Sequence, residues 1–258
     1  MPDLRADLLP AASARPAPEG EIAALAQRYV AANGVLMQAV SFVGGQAEDV
    51  LKRIPSKARA RIEKAARAAL ETAYAAARGS QRAGRMSDRR HRAAAMAMGA
   101  AGGLGGLPSA LVEMPVTATL LLRAIQEIAQ AHGEDLAHEE TRLACLQVLG
   151  AGGPLSEDDG SDFAFLGARL ALTGPALSNL MGQVAPRFAA ILGQKLGAKA
   201  VPVIGALAGA GTNFAFARYY QDMAHVHFGL RRLFREGAPD PLPAFRARVE
   251  KLRAVRRA

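Results

Sequence analysis

Apolar positions recur at helical spacing along most of the chain. Over residues 21–44, Ile22, Leu25, Tyr29, Leu36, Met37 and Val40 are candidate core positions on one face, and Asn33-Gly34 is placed to bend or interrupt the run. Pro55 suits the first turn of a following helix. From Ser56 to Gly79, Ile62, Ala66, Leu70 and Tyr74 form one face, while Lys57, Arg59, Arg61, Lys64 and Arg67 crowd the others. The most regular pattern runs from Thr117 to Gly133. Leu121, Ala124, Ile125 and Ile128 supply its apolar side, Arg123 and Glu127 are spaced to pair across one turn, and Gly133 suits a C-cap. Further helices are expected over 137–149, 163–172 and 176–196, over 218–233 as a helix or a continuation of one, and over 244–257 after the stretch APDPLP. No β-branched strands alternate with these helices. The pattern therefore predicts an all-α fold, a multi-helix bundle with glycine/alanine-rich central helices and short basic terminal extensions. It divides into a disordered arm over 1–20, a helical domain over 21–236, and a Pro-rich linker with a short basic helix over 237–258.

Two stretches depart from amphipathic spacing. Residues 93–122 contain one charge, Glu113, and residues 200–217 contain none. A membrane span needs about 20 apolar residues, so length alone permits one in the first stretch. Pro108, Glu113 and Pro115 point instead to a broken or re-entrant segment, or to a buried helical pair; Pro202, Thr212 and Asn213 weigh against a span in the second. Gly99/Gly103, Gly102/Gly106 and Gly205/Gly209 have the four-residue spacing of small residues at close helix contacts.

Charge sharpens this division. Residues 1–92 carry a net +7, residues 93–230 a net −4 and residues 231–258 a net +6. Basic ends flanking an apolar, mildly acidic middle attract polyanions such as anionic headgroups, nucleic acid or acidic proteins, or simply solvate the surface. Aromatic residues make up only 5% of the chain and are not interleaved with the basic clusters, which argues against nucleic acid. The single cysteine, Cys145, excludes an internal disulfide and a cysteine zinc cluster; its helical run suggests a buried thiol. The first twenty residues lack the basic start and apolar core of a signal peptide. Glu157, Asp158, Asp159 and Asp162 lack the residue order of a calcium loop, and the glycines of AAGGLGGLP have neither a preceding strand nor a Lys-Ser/Thr for phosphate. No cofactor is expected.

Polar side chains gather after the second apolar block: Asn213, Arg218, Gln221, Asp222, His225 and His227. On one helix Arg218, Asp222 and His225 share a side, so Asp222 is placed to orient His225 and raise its basicity. His227 lies about 200° around the helix from His225, which prevents both from chelating one metal. The group reads as a buried network between helices, as a site for an anionic ligand, or as a catalytic centre. Arg123, Gln126 and Glu127 join it if their helices meet.

The segments EMPVTATLLLRAIQEIAQAHGEDL (113–136) and KAVPVIGALAGAGTNFAFARYYQDMAHVHFGLRRL (199–233) resemble the two best-marked blocks of the EcsC protein family, and the likeness extends roughly over residues 20–235. The matching positions are Pro115, Arg123, Gln126, Glu127, Gly133 and Asp135, then Pro202, Gly205, Asn213, Gln221, Asp222, His227, Phe228, Arg231 and Arg232. The resemblance implies a bacterial, cytoplasmic-side protein of a family named for a gene beside an ABC transporter system, without an assigned catalytic mechanism. It selects His227, whereas helical geometry selects His225. Two functions are therefore expected to compete. One is a non-enzymatic, peripheral accessory that binds anionic membrane lipids or a membrane transport complex, with Arg123, Gln126, Asn213, Arg218, Gln221, Arg231 and Arg232 as binding candidates. The other is a hydrolase acting on a lipid or phosphorylated substrate through Glu127, Asp222, His225 or His227. Oligomeric state is not encoded in any of these patterns.

Overall fold

The computed structural model describes residues 19–32, 34, 64, 67–76, 86–104, 106–150, 202–237 and 240–257. The arm at 1–18, the basic positions at 52–63 and 78–85, the acidic loop, and the helices expected over 163–172 and 176–196 lie outside these residues. Seven helical segments are described: α1 (Glu19–Ala32), α2 (67–76), α3 (Asp88–Leu104), α4 (Gly106–Ala131), α5 (Glu139–Leu149), α6 (Pro202–Arg235) and α7 (Leu242–Arg257). The described residues form an all-α bundle of several helices.

The helix ends follow from local chemistry. The Ser87 hydroxyl accepts the Arg90 N–H at 3.4 Å, and Asp88 places a negative charge in the first turn of α3. Gly133 takes φ +79°, and the N–H groups of Gly133 and Glu134 donate to the carbonyls of Gln130 and Ala129. This is a Schellman closure, and its left-handed residue favours glycine. Asp240 accepts the Leu242 N–H at 3.0 Å at the start of α7. Helix α1 begins at Glu19, inside the arm expected over 1–20, because Glu19 and Glu21 both suit a helix's first turn.

The apolar stretch around residue 105 resolves into a pair of helices. Helix α4 continues through Pro108 and Pro115. Pro108 falls in the first turn, where no N–H is needed, and Pro115 removes one ladder bond. The Thr119 hydroxyl donates to the Pro115 carbonyl at 2.7 Å. Among the described residues no helix is long and apolar enough to cross a membrane.

Helix α6 is the spine. Its 34 residues extend about 51 Å at 1.5 Å per residue. Helices α1, α3, α4 and α5 all pack on it, α3 most extensively, and α7 lies against α1. Of the sequence-expected faces, Ile22 and Tyr29 on α1, Leu70 and Tyr74 on α2, and Leu121, Ala124, Ile125 and Ile128 on α4 are buried and Leu25 is half-buried, while Leu36, Met37, Val40, Ile62 and Ala66 lie outside the described residues. Tyr219, Tyr220 and Phe228 fill the α6 side, and Phe245 of α7 meets Tyr29 edge-on at 5.7 Å between ring centroids. Gly229 permits a close approach of α1 to α6, since a Cβ there would lie 2.7 Å from Leu25 Cδ2. Cys145 is fully buried, and burial pushes its thiol well above the ordinary range.

Candidate functional site

The first turn of α3 divides its polar side chains between two neighbours. His91, on the α4 side, sets its Nε2 3.0 Å from Glu127 Oε2. Glu127 also accepts the Met86 N–H at 2.8 Å and the Arg123 Nε–H at 3.0 Å. Burial pushes the Glu127 carboxyl up, but the bonds from His91, the Met86 N–H and Arg123 outweigh it and hold the group below its usual range. The Arg123–Glu127 pair thus forms as its spacing requires. Gln126 is buried beside it, and its Nε2 has no hydrogen-bond partner among the described residues.

Asp88 works on the α6 side. Its carbonyl accepts Gln221 Nε2 at 3.1 Å, and its Oδ2 lies 3.2 Å from His225 Nε2. The other ring nitrogen of His225, Nδ1, is 3.1 Å from His132 Nε2. The hydrogen bond from His225 lowers the Asp88 pKa more than burial raises it, with help from the charges of His225, Arg92 and Arg28. Burial, reinforced by His225, Arg232, Arg28 and Arg235, pushes His132 down to about 4. His132 is therefore a neutral imidazole near neutral pH. A carboxylate, an imidazole and a second imidazole form a continuous chain from α3 through α6 to the end of α4.

This corrects the expected Arg218–Asp222–His225 arrangement. Asp222 accepts Arg28 Nη1 of α1 at 2.9 Å on Oδ1, and Arg218 Nε stands 3.7 Å from its Oδ2. The carboxylate bonded to His225 is Asp88 instead. Helical spacing places Asp222 and His225 on one side, but partners from two other helices reach them first. Burial pushes the Asp222 carboxyl above its ordinary range against the pull of Arg28 and Arg218.

The remaining sequence candidates occupy separate places. Asn213 is buried and donates to the Ala95 carbonyl at 3.0 Å, tying α6 to α3. His227 is buried against Phe228, 4.9 Å between ring centroids, away from the Asp88–His225–His132 chain. Arg231 donates to Glu134 at 2.9 Å and to Glu140 at 3.0 Å, and Arg232 pairs with Glu21. Both arginines are thus engaged by carboxylates of their own chain. Glu134 is the second hub: it also takes Arg235 Nη1 at 2.7 Å and the Thr141 hydroxyl at 3.3 Å.

A cavity of about 730 Å³ opens between α1, α3 and α6. Four arginines line it, Arg28, Arg89, Arg92 and Arg218, against one carboxylate, Asp222. Sequence reasoning named only Arg218 and Asp222 among these five. Arg28, Asp88, His91 and His132 carry no local signal beyond a polar residue on a helix, because their partners are distant in sequence; Arg28 and Asp222 are 194 positions apart. Among the described residues no group of three or more His, Cys, Asp or Glu side chains is arranged to hold a metal ion.

No curated protein and no solved structure matches the chain. The model of the EcsC protein family matches residues 35–233, a span that includes Asp88, His91, Glu127, His132, Asp222 and His225. Arg28 and helix α7 lie outside it. On that match, the chain belongs to the EcsC protein family.

Proposed function

We propose that this protein is a non-enzymatic accessory that associates peripherally with an anionic membrane surface, or with a membrane transport complex, on the cytoplasmic side. One observation carries the reading: cations from both basic stretches of the sequence flank α1. Arg89 and Arg92 of α3 face its Ala24–Ala31 side, and Arg248 and Lys251 of α7 face its Glu19–Ala23 side. Exposed apolar side chains lie on the same two flanking helices, Met96 (42%) on α3 and Val255 (70%) on α7. Cations beside apolar side chains suit an interface between water and anionic headgroups. In this reading the glycine- and alanine-rich helices form the packed centre, the basic terminal extensions meet the surface, and no cofactor is involved. Sedimentation with neutral and anionic liposomes at two salt concentrations tests it. Binding confined to anionic vesicles and weakened by salt is the expected result; absence of binding to either vesicle refutes it.

A hydrolase reading has one observation in its favour, the carboxylate-oriented imidazole of His225. Its test is release of nitrophenol from simple phosphate esters by the wild type, abolished in His225→Ala.

A further inference from the structure

We infer that the cavity between α1, α3 and α6 is a binding site for a phosphate monoester or similar dianion. The charges in the cavity do not balance: four guanidinium groups meet one carboxylate. Two of the four are already engaged, Arg28 at 2.9 Å from Asp222 and Arg218 at 3.7 Å. Arg89 and Arg92 are not bonded to Asp222, and Arg92 acts only through its charge on Asp88. Neither donates a hydrogen bond nor forms an ion pair among the described residues, and both line the cavity. Asp222 offsets one of the four cations and the neighbouring Asp88, on which the charges of Arg92 and Arg28 act, offsets a second, so a net charge of about +2 is left for a dianion to balance. Guanidinium groups suit this ligand because their planar forks bind phosphate oxygens two at a time, with a geometry that a lysine does not supply.

The scaffold also favours a built site. Arg89 and Arg92 sit three residues apart on the first turns of α3, whose start is fixed by the Ser87 cap and by the packing of His91 against Glu127. Arg28 is held in register by its bond to Asp222, across the α1–α6 contact. The four cations therefore converge from three helices. Phe214 and Met96 lend the same cavity an apolar wall, room for the carbon-bearing part of an ester.

The inference rests on the membrane reading only for the source of the phosphate. A lipid headgroup and a soluble phosphate ester present the same chemistry, and the experiment separates them. Pyrophosphate binding is measured by titration calorimetry. Vesicles of phosphatidylcholine carrying phosphatidic acid are then compared with vesicles carrying phosphatidylserine at matched surface charge. The variant R89Q/R92Q removes the two cavity cations that make no hydrogen bond or ion pair among the described residues; R248Q/K251Q removes equal charge on α7, outside the cavity. Thermal melts of both variants check that folding is retained. Pyrophosphate binding weakened about tenfold or more in R89Q/R92Q, and little changed in R248Q/K251Q, supports the site. A phosphatidic acid preference lost in the same variant identifies a lipid headgroup as the source. Pyrophosphate binding without that preference supports the site with a soluble ester as its ligand, and leaves membrane association to stand or fall on the liposome result. The inference is overturned if the wild type neither binds pyrophosphate nor prefers phosphatidic acid, or if both variants weaken binding equally.

Discussion

Glu134 joins the end of α4 to the last turns of α6, and its removal should cost the fold more than any single surface ion pair. Its side chain is 4% exposed and takes three bonds: from Arg231 Nε at 2.9 Å, Arg235 Nη1 at 2.7 Å and the Thr141 hydroxyl at 3.3 Å. Hydrogen bonds to a charged group contribute about 1.5–3 kcal/mol each, and breaking a buried pair costs about 3–5 kcal/mol. Two features lower that figure here. Arg231 keeps Glu140 at 3.0 Å, and Arg235 keeps the His132 carbonyl at 2.7 Å, so neither cation is left without a partner. Arg235 is also 45% exposed, so water takes up much of what it loses. Glu134→Gln, which keeps the shape and removes the charge, should therefore cost about 2–3 kcal/mol. For a chain of this size that lowers Tm by about 5–10 °C. Urea and thermal unfolding of the variant measure it directly. A loss below about 0.5 kcal/mol, the level of an exposed pair, would refute the claim that this hub closes the bundle.

Three further outcomes follow from other contacts. His132 has its pKa held down at about 4 from an ordinary 6.5 by burial and by His225, Arg232, Arg28 and Arg235. Between those values the unfolded chain binds a proton that the native one does not, so this contribution to stability is lost as pH falls from about 6.5 to about 4. The ring is only half-buried, so screening reduces the full linkage to about 1–2 kcal/mol. Urea midpoints at pH 7 and pH 5 should lie closer together in His132→Gln than in the wild type, and an unchanged gap rejects the assignment. Gly229→Ala would drive a methyl to 2.7 Å from Leu25 Cδ2; overpacking of about 1–3 kcal/mol, offset by about 1 kcal/mol of gained helix propensity, leaves a net loss of about 0–2 kcal/mol, and Leu25→Ala in the same chain should recover part of it, whereas additive effects in a double-mutant cycle would show that the two helices are not in contact there. Cys145, fully buried, should react with thiol reagents only as fast as the protein unfolds in urea, and rapid labelling of the native protein would place it elsewhere.

The helices were legible where apolar spacing was strict and an end signal was local. Leu121, Ala124, Ile125 and Ile128 with Gly133 define α4 from the sequence, and the left-handed Gly133 is where the pattern puts it. The start of α4 was less legible because glycine and proline depress intrinsic helix propensity, yet packing on α3 and α6 carries the helix through Pro108 and Pro115. The Arg123–Glu127 pair was readable because both partners lie on one turn. The partner of His225 was not. Asp222, three residues away, is the local candidate, but Asp88 lies 137 positions away and only the α3–α6 packing brings it to His225. The arginine cavity has the same character: its walls come from three helices, and the spacing of Arg28, Arg89 and Arg218 along the chain holds no trace of their convergence.

The position of the spine sets the order in which the molecule can be made. Helix α1 leaves the ribosome early, but its ion pairs, Arg28 to Asp222 and Glu21 to Arg232, wait for residues 194 and 211 positions later. At about 5–20 residues per second, synthesis leaves α1 without its partner for on the order of ten to forty seconds. Throughout that interval the Ile22–Tyr29 face, buried in the finished protein, is available to chaperones or to a neighbouring nascent chain. Helix α7 then completes the cover over α1, so the earliest of the described helices in chain order is among the last of them to be enclosed.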